Sequence, residues 1–203
     1  MSNTILKAAS SVVIVGLLGA PVVAGDRTGA RPVSRRLLLR VSPSNKVPVG
    51  RLIRAQREVV ADFEHIGVDV NWMGCGIDRG AQPDERPQPI SIGVHVTSLH
   101  GRVLHVVPNE GIGAVVRTIE SQEIAFVLFD RVERAADRYA LDSGLVLGHA
   151  IAHEVGHLLL PRGTHGPAGL MRARWRMEDM RAAVQGQLGF SESEAAIIRA
   201  QLE

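Results

Sequence analysis

The stretch "DSGLVLGHAIAHEVGHLLLP", residues 142–161, constrains the fold more than any other part of this 203-residue chain. Asp142 or Ser143 can cap a helix there, and Pro161 ends it. Between those marks Leu145, Val146, Leu147, Ile151, Ala152, Val155, Leu158 and Leu159 leave almost no polar face. A helix that is apolar all round has to be enclosed on every side. The chain must therefore wrap other elements around it, and His153, Glu154 and His157 go into the interior with it. Burying a polar group without a partner costs roughly 2–7 kcal/mol, so the helix demands something that satisfies these three. Gly156 in mid-helix costs about 1 kcal/mol relative to alanine, which predicts that another group packs closely against the helix there.

The elements that can do the wrapping follow from periodicity. "RRLLLRV" (Arg35–Val41) reads as a strand. From Pro48 the apolar positions Leu52, Ile53, Val59, Val60, Phe63 and Ile66 recur at helical spacing, and Gly67 ends the run. "VDVNW" alternates Val68, Val70 and Trp72 as a half-buried strand does, and a Gly/Pro-rich loop follows. "ISIGVHVT" sends Ile90, Ile92, Val94 and Val96 one way and Ser91, Gly93, His95 and Thr97 the other. "RVLHVV" (Arg102–Val107) is a further short strand before the turn-rich "PNEGIG". "IAFVLF" (Ile124–Phe129) is continuously apolar, as a central strand should be. After the apolar helix come a shorter one around Met177–Leu188 and a last one after Ser191, where Glu194 completes a capping box. The expected fold is α+β: a twisted mixed sheet of about five strands with a backing helix, an active-site helix and a helical C-terminal tail.

Composition narrows the class. The length suits one ordinary domain, and 45% apolar with 22% charged residues is globular. The net charge is only +2 and aromatics make up 3%, which argues against a base-stacking nucleic-acid surface. At the N-terminus Lys7 precedes an uncharged stretch, Ala8 to Ala24, with Val22 and Ala24 at the positions a signal peptidase reads. Residues 1–24 are expected to be a cleaved signal peptide, with an uncleaved anchor or a buried first strand as alternatives. A linker over 25–34 then leads into one domain over 35–203. The protein is expected to be exported, secreted or periplasmic, and to touch a membrane only through an uncleaved leader. Cys75 is the lone cysteine, so no intramolecular disulfide forms and a free or buried thiol is expected.

"HEVGH", His153 to His157, puts two histidines about 40° apart around the helix and one turn along it, so both imidazoles project from one face. Both can reach one Zn²⁺ at about 2.0–2.1 Å. Glu154, turned roughly 100° from His153, is near enough to act on a water without being a ligand. In a hydrolytic zinc site the metal brings the pKa of water towards neutrality and the glutamate takes its proton. The bland alternative, a solvated helix face with unpaired histidines, is opposed by the apolar flanks. A catalytic zinc wants a third protein ligand and one open position. His165, reached through the turn "PRGT", is the first candidate; Glu178 and Glu192 are alternatives. His149 reads as a surface or packing histidine, and His95, His100 and His105 lack ligand spacing. Trp175 and the arginines of "RARWR" are expected to pack and pair beneath the site.

"HEVGHLLLPRGTH…GLM" resembles the metzincin clan of zinc metallopeptidases, whose signature H-E-x-x-H-x-x-G-x-x-H is followed by a methionine in a tight turn under the metal. His153, Glu154 and His157 match in place, and Met171 in "GPAGLM" matches the Met-turn. The segment is also similar to a group of small secreted bacterial proteins with a histidine eight residues after the second ligand. The resemblance implies a zincin fold, one catalytic zinc on His153, His157 and His165, Glu154 as general base, and Met171 as the apolar base of the site. By the metzincin order of elements, Arg102–Val107 would be the edge strand, along which an extended peptide adds through backbone hydrogen bonds. The chain departs from the signature at Leu160, where the glycine falls, and at Gly163, where the third ligand falls. Its turn is two residues longer.

These readings describe an exported, monomeric zinc endopeptidase acting on peptide or protein substrates. The alternatives are a catalytically inactive zincin-fold binding protein, against which the retained Glu154 speaks, and a gluzincin-type or other zinc amide hydrolase using Glu178.

Overall fold

The computed structural model describes residues 35–74, 89–98, 111–117 and 123–203. The leader expected over 1–24, the linker expected over 25–34, the strand expected at Arg102–Val107, and Cys75, His100 and His105 lie outside the described residues.

β1 (Arg35–Pro43) pairs in parallel with β2 (Val68–Met73) on one side and with β3 (Ile90–Thr97) on the other. Parallel neighbours need a crossover rather than a tight turn, and the amphipathic helix α1 (Val49–Glu64) makes it between β1 and β2. β5 (Glu123–Leu128) adds in parallel to β3, and β4 (Gly113–Arg117) closes that edge antiparallel to β5. The result is a five-stranded mixed sheet in the order β2-β1-β3-β5-β4. The α+β class and the mixed sheet are as expected. Leu37, Leu39, Val41, Ile92, Val94, Val96, Ala125 and Val127 are buried on one sheet face. That is the alternation legible in "ISIGVHVT", with Ile90 at the start of its strand as the exposed exception.

Two elements differ from expectation. The antiparallel edge strand among the described residues, Gly113–Arg117, is a short run next to the "PNEGIG" turn signals that was not expected as a strand. The apolar strand stops at Leu128, and Phe129 opens a helix, α2 (Phe129–Tyr139), that was not expected. Its buried stripe is only Phe129, Val132 and Ala136, set among charged residues. So narrow a stripe hides beside the strongly apolar strand that precedes it.

α3 (Ser143–Leu159) is the apolar helix, and every residue from Ser143 to Gly156 is buried. Asp142 is the cap, its carboxylate accepting from the backbone N–H of Gly144 at 2.8 Å and of Leu145 at 3.1 Å. α1, α2, β4 and β5 all pack on it. Leu147, Ile151 and Val155 are fully sealed, which together contributes roughly 5–9 kcal/mol of apolar burial. α1 passes closely at Gly148: a methyl group there would lie 2.5 Å from Glu58 Cβ and 2.8 Å from the Ala55 carbonyl oxygen. The tail holds α4 (Met177–Val184) and α5 (Glu192–Gln201). α4 ends earlier than Leu188. α5 opens with the expected box, the Ser191 N–H donating to Glu194 Oε2 at 2.7 Å and the Glu194 N–H to Ser191 Oγ at 3.4 Å. Among the described residues no helix is long and apolar enough to cross a membrane.

Candidate metal centre

α3 presents His153 and His157 on one face, as their spacing requires, and their Nε2 atoms lie 3.1 Å apart. The chain leaves the helix at Leu160, which is extended ahead of Pro161. A turn follows, closed by the Thr164 N–H on the Pro161 carbonyl at 3.2 Å, with Gly163 at φ +74° where other residues are strained. This returns His165 to the helix. Its ring centroid is 4.7 Å from that of His157 and 5.7 Å from that of His153. One ligand atom from each of the three histidines lies within 4.8 Å of the others, so the cluster could hold a metal ion.

The spacing of the two helical imidazoles suits a metal ion. Two nitrogens on a tetrahedral ion at about 2.0–2.1 Å stand about 3.3 Å apart, against 3.1 Å between the two helical imidazoles. His153 Nδ1 lies 2.7 Å from the Leu170 carbonyl oxygen. A carbonyl only accepts, so the proton sits on Nδ1 and Nε2 keeps a free lone pair directed at the cluster. Burial lowers the His153 pKa. The Leu170 hydrogen bond and the buried Glu194 carboxyl work in the opposite direction, and nearby His165 lowers it further. Burial, and then the neighbouring His153 and His165, push His157 down to about 4. Both helical imidazoles are therefore neutral near pH 7, the form in which nitrogen binds a cation. Exposure rises from buried His153 through half-buried His157 to exposed His165, so the cluster opens to solvent on the side of His165.

Glu154 is only 7% exposed, and among the described residues its carboxyl has no hydrogen-bond partner. Burial pushes it up to about 8. β4 passes directly over it. A methyl group at Gly113 would lie 2.6 Å from Glu154 Oε1 and 2.5 Å from the Phe126 carbonyl oxygen.

Met171 is fully buried. It sits where Gly156 foretold a close neighbour: a methyl group at Gly156 would meet Met171 Sδ at 2.6 Å and Phe190 Cε1 at 3.0 Å. The Gly166 N–H donates to the Met171 carbonyl at 2.9 Å and the Leu170 N–H to the Gly189 carbonyl at 2.9 Å, which ties the methionine turn both to the His165 loop and to the tail.

Glu178 and Glu192 do not join the cluster. The Glu178 side chain is 64% exposed and accepts from Arg172 Nη1 at 2.7 Å. The same guanidinium donates to Asp179 at 2.9 Å and, through Nε, to the Pro167 carbonyl at 2.7 Å. Glu192 is almost wholly exposed and faces Arg199 at 3.9 Å. His149 is a buried packing histidine, its Nδ1 lying 2.9 Å from Asp62 Oδ2 of α1. His95 stacks on Phe126 and lines a pocket of about 340 Å³ with Ser42, Ser44 and Thr97, away from the cluster. Two participants had no readable counterpart, the Leu170 carbonyl and the Gly113 backbone; a third is the Trp175 indole N–H, which donates to Leu170 O at 3.0 Å. Only Trp175 stood out in the sequence, as a residue expected to pack. No protein-family model matches this chain, and no curated protein or solved structure is significantly similar to it.

Proposed function

We propose that the chain is an exported zinc-dependent endopeptidase of the metzincin type. One observation carries this reading: three imidazoles converge at a helix whose neighbouring residue, Glu154, buries a carboxyl that has no hydrogen-bond partner among the described residues. In this reading His153, His157 and His165 hold the ion through ring nitrogens. The ion supplies a Lewis acid and brings the pKa of water towards neutrality. Glu154 accepts the proton of the attacking water at a carboxyl oxygen and passes it to the nitrogen of the departing amine. A carboxyl whose burial moves it towards neutrality is suited to taking up and returning a proton near pH 7. Met171 forms the apolar floor, and the antiparallel edge strand β4, in contact with Glu154 through Gly113, offers backbone groups to an extended substrate.

Three features support the metzincin likeness. The order strand, helix, four strands and histidine-bearing helix recurs here, with α2 inserted before that helix. Met171 packs under the helix. The longer turn is absorbed by Pro161–Thr164 before His165 comes back. A binding protein with a structural metal has no use for a buried unpaired carboxyl, which disfavours the inactive alternative.

The test is zinc stoichiometry together with digestion of a broad peptide library, with and without chelator. One zinc per chain and chelator-sensitive cleavage are expected. Glu154→Gln should keep the zinc and lose cleavage. A wild-type protein that takes up no zinc overturns the reading, and a Glu154→Gln variant as active as wild type removes the proposed base.

A further inference from the structure

We propose that Trp175 is a positioning residue that fixes His153 as its Nδ1–H tautomer; this rests on the reading of His153 as a metal ligand. The Leu170 carbonyl oxygen has two lone pairs, and both are engaged. His153 Nδ1 takes one at 2.7 Å and Trp175 Nε1 the other at 3.0 Å. The same indole stands edge-on to the His153 ring, with centroids 5.8 Å apart and planes at 88°. Trp175 therefore acts twice on one histidine. Its N–H orients the carbonyl that holds the Nδ1 proton, and its ring edge limits rotation of the imidazole. Trp175 is itself anchored, because its backbone carbonyl accepts from Tyr139 Oη at 3.3 Å at the end of α2. The line from α2 through Trp175 and Leu170 to His153 leaves the Nε2 lone pair 3.1 Å from His157 Nε2.

A hydrogen bond that orients a metal-binding histidine typically changes metal affinity by about 10- to 100-fold. Two donors sharing one acceptor give Trp175 no means to strengthen the His153 bond electronically, so its effect is directional. Substituting phenylalanine keeps most of the ring and removes the N–H. Tyr139→Phe removes only the anchor.

The experiment reads the ring-nitrogen NMR shifts of His153 in the full chain freed of metal by chelation, then the zinc affinity by competition with a chromophoric chelator. Wild type should show a single Nδ1–H tautomer. Trp175→Phe should show a mixture and bind zinc about 10- to 100-fold more weakly, and Tyr139→Phe should shift both readouts in the same direction by less. If Trp175→Phe compromises folding, replacing Trp175 with benzothienylalanine keeps the bicyclic shape, lacks the N–H, and replaces it in both measurements. An unchanged tautomer and a zinc affinity within twofold of wild type, in a variant with native melting, overturn the proposal and leave the metal site standing. A tautomer shift in a protein whose wild type takes no zinc upholds the positioning role and overturns the metal reading instead.

Discussion

Gly156→Ala sets two effects of opposite sign against each other, and the geometry decides which wins. In a helix interior the substitution gains about 1 kcal/mol of propensity. Here the new methyl carbon would lie 2.6 Å from Met171 Sδ, 3.3 Å from Met171 Cε and 3.0 Å from Phe190 Cε1. Favourable heavy-atom contacts fall near 3.5–4.0 Å, so the sulfur must retreat by about 1 Å. Met171 is fully buried and cannot swing into solvent. Overpacking of this kind costs typically about 1–3 kcal/mol. The net expectation is a loss of about 1 kcal/mol, or a fall of about 2–4 °C in melting temperature for a domain of this size.

The assay is thermal unfolding by circular dichroism in a double-mutant cycle with Met171→Ala. Removing the thioether removes the obstacle, so in that background Gly156→Ala should cost less, with a coupling of about 1 kcal/mol. Zinc affinity should weaken in the Gly156→Ala single variant, because Met171 directly follows the Leu170 carbonyl that holds His153. Gly50→Ala serves as a reference: it lies in the first turn of α1 with open space around it and should be neutral or slightly stabilising. A Gly156→Ala protein that gains stability, or a cycle that is additive, refutes the claim that the methionine packs on the helix beneath the histidines.

His165→Ala should lose most zinc binding while Glu178→Ala keeps it, measured by metal content after dialysis; the reverse pattern would transfer the third ligand to the tail. Gly113→Ala should cut peptide cleavage more than zinc content, because its methyl group meets both the Glu154 carboxyl and the β5 backbone; equal effects on both would argue against a role for that contact in positioning the base. Asp62 is buried beside His149, and burial raises its carboxyl above the ordinary value of 3.8, with the His149 hydrogen bond offsetting only part of the effect. The folded state therefore holds that proton more tightly than the unfolded chain does, and this contribution to stability is lost as pH rises from about 3.8 through the folded value. Denaturant titrations across that range should show Asp62→Asn gaining relative to wild type as pH rises, and a constant difference would contradict the assignment.

How far the sequence carries this structure depends on whether a feature is local. The buried helix, the alternation in β2 and β3 and the Ser191–Glu194 box each follow from neighbours within one turn or one strand, and each is where it was expected; a tight contact was expected at Gly156 from the glycine alone, while its partners Met171 and Phe190 lie far along the chain. β4 and α2 were not legible because their local patterns are weak: five residues beside a glycine-rich turn, and a stripe of Phe129, Val132 and Ala136 in a charged run. Asp62 meeting His149 across 87 positions leaves no trace in the pattern of either helix.

The histidine cluster divides along the same line. Two of its imidazoles are placed by helix geometry alone, and the spacing in "HEVGH" suffices for them. The third depends on a turn, and turn length by itself says little: a count of residues from His157 to His165 cannot distinguish a ring facing the helix from one facing away. What brings His165 back is the positive φ at Gly163 together with the link from Gly166 to Met171 that closes the following loop. Both belong to the segment running from the end of α3 to Trp175, as do the carbonyl on which His153 depends and the indole that orients it. The additional residues in the turn are therefore compatible with the shorter signature's ligand set, provided that this segment is held as one unit against α3. The Arg172 clasp on Pro167, Glu178 and Asp179 does the holding from outside. On this view Glu178, the alternative ligand, supports the histidine cluster by keeping the loop closed through Arg172 and not by joining it.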